Sequence, residues 1–211
     1  MSDRAPQQRW ETIIEIVEIA VLALVAIATS FSGFQGTQWG GEQARLYGLA
    51  STTRFEADAA STLGGQQLVA DSSIFTAWLQ AHAAGDRELE ALLEKRFSPS
   101  YGTAFEAWLG ADPFSDPSAP PGPGYMPNYR NALTTKAATL NAQASVYFTD
   151  GTEAREVANK YLRQTVLFAT VLFLIAIAQR FRVRGVRIGA NALALLVLAF
   201  ALYGLSTLPR I

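Results

Sequence analysis

The sequence predicts an all-α integral membrane protein with three transmembrane helices and a helical extracytoplasmic domain between spans one and two. Three observations carry that reading. Apolar segments run over Ile13–Phe34, Leu162–Ala178 and Ile188–Leu205. Each approaches the about 20 residues that a helix needs to cross a hydrocarbon core of about 30 Å. Arg180, Arg182, Arg184 and Arg187 crowd the short joint between the last two segments. Strand-like alternation is nearly absent, whereas apolar residues recur at helical spacing.

Short loops rich in Lys and Arg stay in the cytoplasm, so the 180–187 joint is expected there. Residues 1–11 then form a cytoplasmic N-terminus and 12–34 the first span. An extracytoplasmic helical domain occupies 35–160, with a Pro/Gly-rich loop at 112–127. The second span covers 161–179, the basic joint 180–187 and the third span 188–206. Residues 207–211 end outside. The charge pattern agrees, because residues 34–160 hold more Asp and Glu than Lys and Arg, while the formal charge of the whole chain is only -1. The expected location is the bacterial inner (plasma) membrane, crossed several times. Absence of cysteine excludes disulfides and thiolate chemistry and leaves helix packing or oligomerisation to hold the outer domain.

In the first span, Ala26-Ile27-Ala28 resembles a small-x-small cleavage site. Acidic residues stand where a signal peptide would be positive, and the apolar run continues past Ala28, so an uncleaved anchor fits better. Trp10 and Trp39 flank this span as interfacial anchors. The helix is expected to continue outward through the proline-free stretch 35–60. Gly36, Gly40, Ala44 and Gly48 recur there every four residues, a row that lets another helix approach closely. A break is expected near Gly64-Gly65.

Leu68, Phe75, Trp78, Leu79 and His82 form the next apolar stripe, ended by Gly85. Asp86 caps a helix with an acidic first turn (Glu88, Glu90) and a basic last turn (Lys95, Arg96). Ser98-Pro99 reads as cap and first residue of another, striped by Tyr101, Phe105, Trp108 and Leu109. Residues 112–127 are too rich in Pro and Gly for a helix, and a mobile or polyproline-like loop is expected. Leu133, Ala137, Leu140, Ala144 and Tyr147 space like a packed helix face. Asp150 with Glu153 reads as a capping box that starts a helix running into the second span.

The catalytic inventory is thin, and no enzyme, cofactor or metal is expected. His82 is the only histidine, so two-histidine metal motifs are impossible, and its place on the aromatic stripe favours packing. No nucleophile elbow, phosphate loop or dinucleotide fingerprint occurs. A basic nucleic-acid-binding surface is also missing, so nucleic acid is not an expected partner.

The most pointed polar feature is Glu11, Glu15 and Glu18, which share one helix face. That face continues through Leu22, Val25, Thr29, Ser32 and Gly36. In a homo-oligomer these side chains would line a central axis, with an acidic ring that favours cations. The competing reading pairs the glutamates with Arg180, Arg182, Arg184 or Arg187 on the same side. Those arginines set topology and also suit anionic lipid headgroups. Two function classes follow. The first is a non-enzymatic oligomeric channel lined by the first span. The alternative is an envelope scaffold or accessory subunit that binds a protein through its outer helices.

One stretch carries a family likeness. Ala28-Thr29-Ser30-Phe31-Ser32-Gly33-Phe34-Gln35 is followed by Trp39 and by Gly41-Glu42-Gln43-Ala44-Arg45-Leu46-Tyr47. It resembles uncharacterised bacterial membrane proteins with a Ser-Gly-aromatic-Gln end to the first span and two closing spans. The resemblance implies the three-span layout and brings no activity with it.

Overall fold

The computed structural model describes the backbone of residues 4–181 and 183–211 and the side chains of 15–181 and 183–211. Glu11, Trp10 and Arg182 therefore lie outside the described side chains. The described residues form five helices and no strand: α1 Arg4–Ala84, α2 Arg87–Glu94, α3 Pro99–Leu109, α4 Ala132–Arg180 and α5 Arg184–Ser206. Parts of α1 and α4, with all of α5, are long and apolar enough to cross a membrane. The chain divides into two compact units, Met1–Tyr47 with Phe148–Ile211 and Gly48–Tyr147.

The first unit packs α1, α4 and α5 through residues spaced three and four apart. Val25 and Ala28 on α1 meet Tyr161, Phe168, Val171 and Ile175 on α4 and Ala194, Leu198, Ala201 and Leu205 on α5. Such alternation keeps one face of each helix turned to its neighbours. Alanines at 28, 178, 194 and 201 are all buried, and small side chains let neighbouring helices approach closely. Gly151 serves the same end. A Cβ there would lie 2.6 Å from the Tyr47 ring, whose hydroxyl is 3.2 Å from Thr152 Oγ1. The Tyr47 and Phe148 rings stack alongside, with centroids 5.2 Å apart.

The second unit is built on aromatic rings. Phe75, Trp78, Tyr101, Phe105 and Trp108 are buried together with Ala81 and Leu93. Asp71 ties α1 to α3, its carboxylate accepting from Ser98 N at 2.8 Å and Ser98 Oγ at 2.6 Å. Ser98 precedes Pro99 as expected, but its hydroxyl is spent on Asp71 and gives α3 no side-chain cap. Asp86 does cap α2, accepting from Leu89 N at 3.0 Å after the left-handed turn at Gly85, φ +72°. Lys95 lies at the C-cap, just past the end of α2.

Several sequence expectations are corrected. No break occurs at Gly64-Gly65, where α1 runs on to Ala84. A helical glycine costs about 1 kcal/mol, and packing offsets it here. Gly64 allows α4 to begin against α1: Asn131 Nδ2 donates to Gly64 O at 3.0 Å, and Asn131 Oδ1 accepts from Leu133 N at 2.9 Å as the helix starts. Asp150 and Glu153 are likewise no capping box, since they sit inside α4, which begins at Ala132.

The proline-rich stretch is folded onto the aromatic core. Trp108 Nε1 donates to Pro120 O at 2.7 Å, and Pro123, in a short 3₁₀ turn at Pro123–Tyr125, is buried. Gly122 brings the backbone so near the Phe75 ring that a Cβ would lie 3.2 Å from it. His82 is exposed, unlike Trp78 and Phe75. Its ring is stacked between Trp78 and Phe114 at 4.9 and 4.8 Å, with Nδ1 3.4 Å from Glu90 Oε1. α5 begins at Arg184, so the basic joint 180–187 is partly helical.

Candidate functional site

The densest polar arrangement lies in the first unit, where a carboxylate is buried among apolar helices. Glu18 is 6% exposed. Its face of α1 turns toward α4 and α5 because the residues that follow, Val25 and Ala28, are buried against those helices. Arg187 and Asn191 stand four residues apart on α5 and so share a face. Gln179 closes the group from the last turn of α4.

Five donor contacts converge on Glu18. Arg187 Nε donates to Oε1 at 3.2 Å, and Arg187 Nη2 donates to Oε1 and Oε2 at 3.1 and 3.0 Å. Asn191 Nδ2 donates to Oε1 at 2.7 Å and Gln179 Nε2 to Oε2 at 3.3 Å. A charge in apolar surroundings is tolerated when paired and hydrogen-bonded, and both conditions hold. The result is a polar staple through three helices.

A groove of about 510 Å³ adjoins the staple, walled by Val17, Val21, Ile175, Ala194 and Leu195 with Arg184 among its lining. At the other end of the same three helices a second polar group holds the last residues. Gln35 pairs with Ile211, its Nε2 donating to the carbonyl at 3.1 Å and its Oε1 accepting from the amide at 3.2 Å. Trp39 Nε1 and Tyr161 Oη both donate to Pro209 O, at 3.2 and 2.9 Å. Glu18 and Gln35 are separated by ~26 Å of helix, close to the thickness of a hydrocarbon core.

Other seam residues are divided by their surroundings. Val25 and Ser32 are 0% exposed, covered by the chain's own helices. Leu22 and Thr29 are half-buried, and the Thr29 hydroxyl donates to Val25 O at 2.7 Å. Glu15 is exposed and has no ion pair among the described residues, and Glu11 lies outside them. Of the four arginines, Arg187 meets Glu18, Arg180 and Arg184 are exposed, and Arg182 is outside the described residues.

The small-residue row is also divided. Gly36 approaches α4, where a Cβ would lie 3.5 Å from that of Tyr161. Gly40 and Gly48 face open space, and Ala44 is exposed. Within the chain the close contacts fall elsewhere, at Gly151, at Gly64 and at Gly204 beside Gln164. Asn191 and Gln179 were not singled out from the sequence, although a lone amide inside an apolar span is itself a signal.

In the second unit, burial pushes the Tyr101 hydroxyl up to about 12, opposed by a Ser72 hydrogen bond and reinforced by Asp71 and Tyr129. No group of three or more His, Asp or Glu placed to hold a metal occurs among the described residues. Comparison with protein-family models, with curated proteins and with solved structures finds no match for this chain.

Proposed function

We propose that the protein is a non-enzymatic envelope scaffold or accessory subunit. In this reading three spans anchor it, and the Gly48–Tyr147 unit meets a protein partner. The supporting observation is the burial of Glu18 with Arg187, Asn191 and Gln179. A cation path along the first span needs the Glu18, Val25 and Ser32 face free for a shared axis. In the single chain that face is already turned to α4 and α5, which argues against the channel reading.

On this reading the arginine joint stays in the cytoplasm, and residues 36–158 lie outside the plasma membrane. Large apolar side chains of the outer unit are then available to a partner. Phe55, Phe114 and Tyr125 are 71%, 57% and 74% exposed. Aromatic side chains are the anchors most enriched at protein interfaces.

Photoreactive amino acids at Phe114, Tyr125 and the exposed polar Glu88 test the reading in cells. A discrete adduct with another protein at either aromatic position, absent at Glu88, is expected. Adducts only between copies of this chain would favour the oligomer. No adduct at either aromatic position, with a cation current in planar bilayers that rises in Leu22→Ser, would return the channel.

A further inference from the structure

We propose that the groove beside the Glu18–Arg187 staple holds one acyl chain of a glycerophospholipid whose anionic phosphate rests on Arg184. This is independent of the scaffold reading, and either can fail alone.

Charge balance comes first. The staple contains one carboxylate, Glu18, and one guanidinium, Arg187, which neutralise each other. Arg184 lines the same groove, is exposed and has no ion pair among the described residues. It opens α5, whose first turn contains no acidic residue. Helix N-termini carry partial positive charge and free amide donors, so Arg184 adds a full charge where an anion is already favoured. Acidic side chains normally occupy such a turn, and here a cation does. Among the residues that line the groove one positive charge, that of Arg184, is left over, while Glu15 lies against the neighbouring cavity that Glu18 and Arg187 share with Gln179.

The walls specify the rest of the ligand. Apart from Arg184 and the staple's own Glu18, Arg187 and Asn191, the lining is aliphatic, with Val17, Val21, Ile175, Ala194 and Leu195 along its length. From Arg184 to Leu195 the groove follows α5 for eleven residues, ~16 Å of helix. That is about half of a 30 Å hydrocarbon core, the depth of one leaflet. A free inorganic anion would use the mouth and leave the apolar length empty. A phospholipid fills both, with phosphate at the surface and chain within. A zwitterionic lipid brings its own cation to the mouth, so an anionic headgroup is the better complement.

The test uses the full chain in a neutral maltoside detergent, titrated with palmitoyl-oleoyl phosphatidylglycerol. Bound lipid is counted by native mass spectrometry and thermal unfolding is followed in parallel. Wild-type protein should retain one phosphatidylglycerol in preference to phosphatidylcholine of the same chains. Arg184→Gln should weaken it about fivefold, which corresponds to about 1 kcal/mol for one basic residue at a membrane surface. Arg184→Lys should stay within about twofold of wild type. Leu195→Trp, at a position 46% exposed, should obstruct the chain and weaken binding at least as much.

Arg180→Gln removes another exposed charge, outside the groove, and should have no effect. An equal loss in Arg180→Gln would mean diffuse surface charge and overturn the site. Full competition by inorganic phosphate would reduce it to an anion site without a lipid. Equal retention of phosphatidylcholine would remove the role of Arg184.

Discussion

Arg187 and Glu18, 169 residues apart in the chain, form a forked ion pair in which Nη2 reaches both carboxylate oxygens, at 3.1 and 3.0 Å. Glu18 is almost fully buried while the Arg187 side chain retains 27% exposure, so the two partners differ in what their loss leaves behind. Removing Arg187 strands a buried carboxylate. Removing Glu18 strands a guanidinium that still reaches the surface.

Arg187→Met should therefore destabilise the three-helix unit by about 3–5 kcal/mol, the range for a broken buried pair. Glu18→Met should cost less than Arg187→Met. The double replacement should recover much of the loss, because two apolar side chains leave no uncompensated charge. Unfolding of single and double variants in detergent supplies the cycle. Additive costs would mean that the pair carries no coupling.

Glycine positions separate internal packing from contact between copies. Gly151→Ala should cost about 1–3 kcal/mol, because its Cβ would lie 2.6 Å from Tyr47 and 3.3 Å from the Leu46 Cβ. Gly40→Ala has nothing within 4 Å and should leave stability unchanged or raise it by up to about 1 kcal/mol from helix propensity. Gly40→Leu then reports on assembly alone. A change in oligomeric state with unchanged unfolding would assign the outward row at Gly40, Ala44 and Gly48 to contact between copies.

Much of the architecture was legible in the sequence because lipid imposes a simple rule. Apolar runs of span length must be helical, so three candidate spans followed from hydropathy. Gly85 and Asp86 were legible for an equally local reason, a left-handed turn followed by a side-chain cap. The misreadings came where tertiary contact overrides local preference. Gly64 breaks no helix because the start of α4 packs on it, and Asp150 caps none because Gly151 lets α4 pass Tyr47.

The Glu18 partner was narrowed to four arginines by charge and side of the membrane. Choosing Arg187 also required knowing that α5 begins at Arg184, which places Arg187 and Asn191 on one helical face. His82 stacks on Trp78 in keeping with the stripe, but helical spacing does not say where the covered sector ends, and its ring remains exposed. Folding of the 112–127 loop onto Trp108 and Phe75 had no periodic signal at all.

Alkaline pH probes the aromatic unit. Burial raises Tyr101 to about 12, against about 10 for an unfolded tyrosine. The folded state thus holds this proton more tightly. Its contribution is fully present below about pH 10 and is lost as pH rises toward 12. The thermal midpoint of the Gly48–Tyr147 unit should fall across that window in the full chain. Tyr101→Phe, which has no proton to lose, should flatten the fall while keeping the aromatic packing. An identical decline in both proteins would assign it to other groups.

Orientation rests on the arginines and is testable by thiol labelling, because the chain has no native cysteine. Gly185→Cys places a thiol at an exposed position with open space around it, in the first turn of α5. Glu88→Cys places one at an exposed position in the first turn of α2. A membrane-impermeant maleimide applied to intact cells should label the position-88 variant and spare the position-185 variant, and lysis should expose both. The asymmetry follows from four arginines clustered at 180–187, because short loops rich in Arg are retained on the cytoplasmic side. The reverse pattern would place the Gly48–Tyr147 unit in the cytoplasm. A partner would then have to be sought there, and the envelope scaffold reading would fall even if the Glu18–Arg187 pair holds as described.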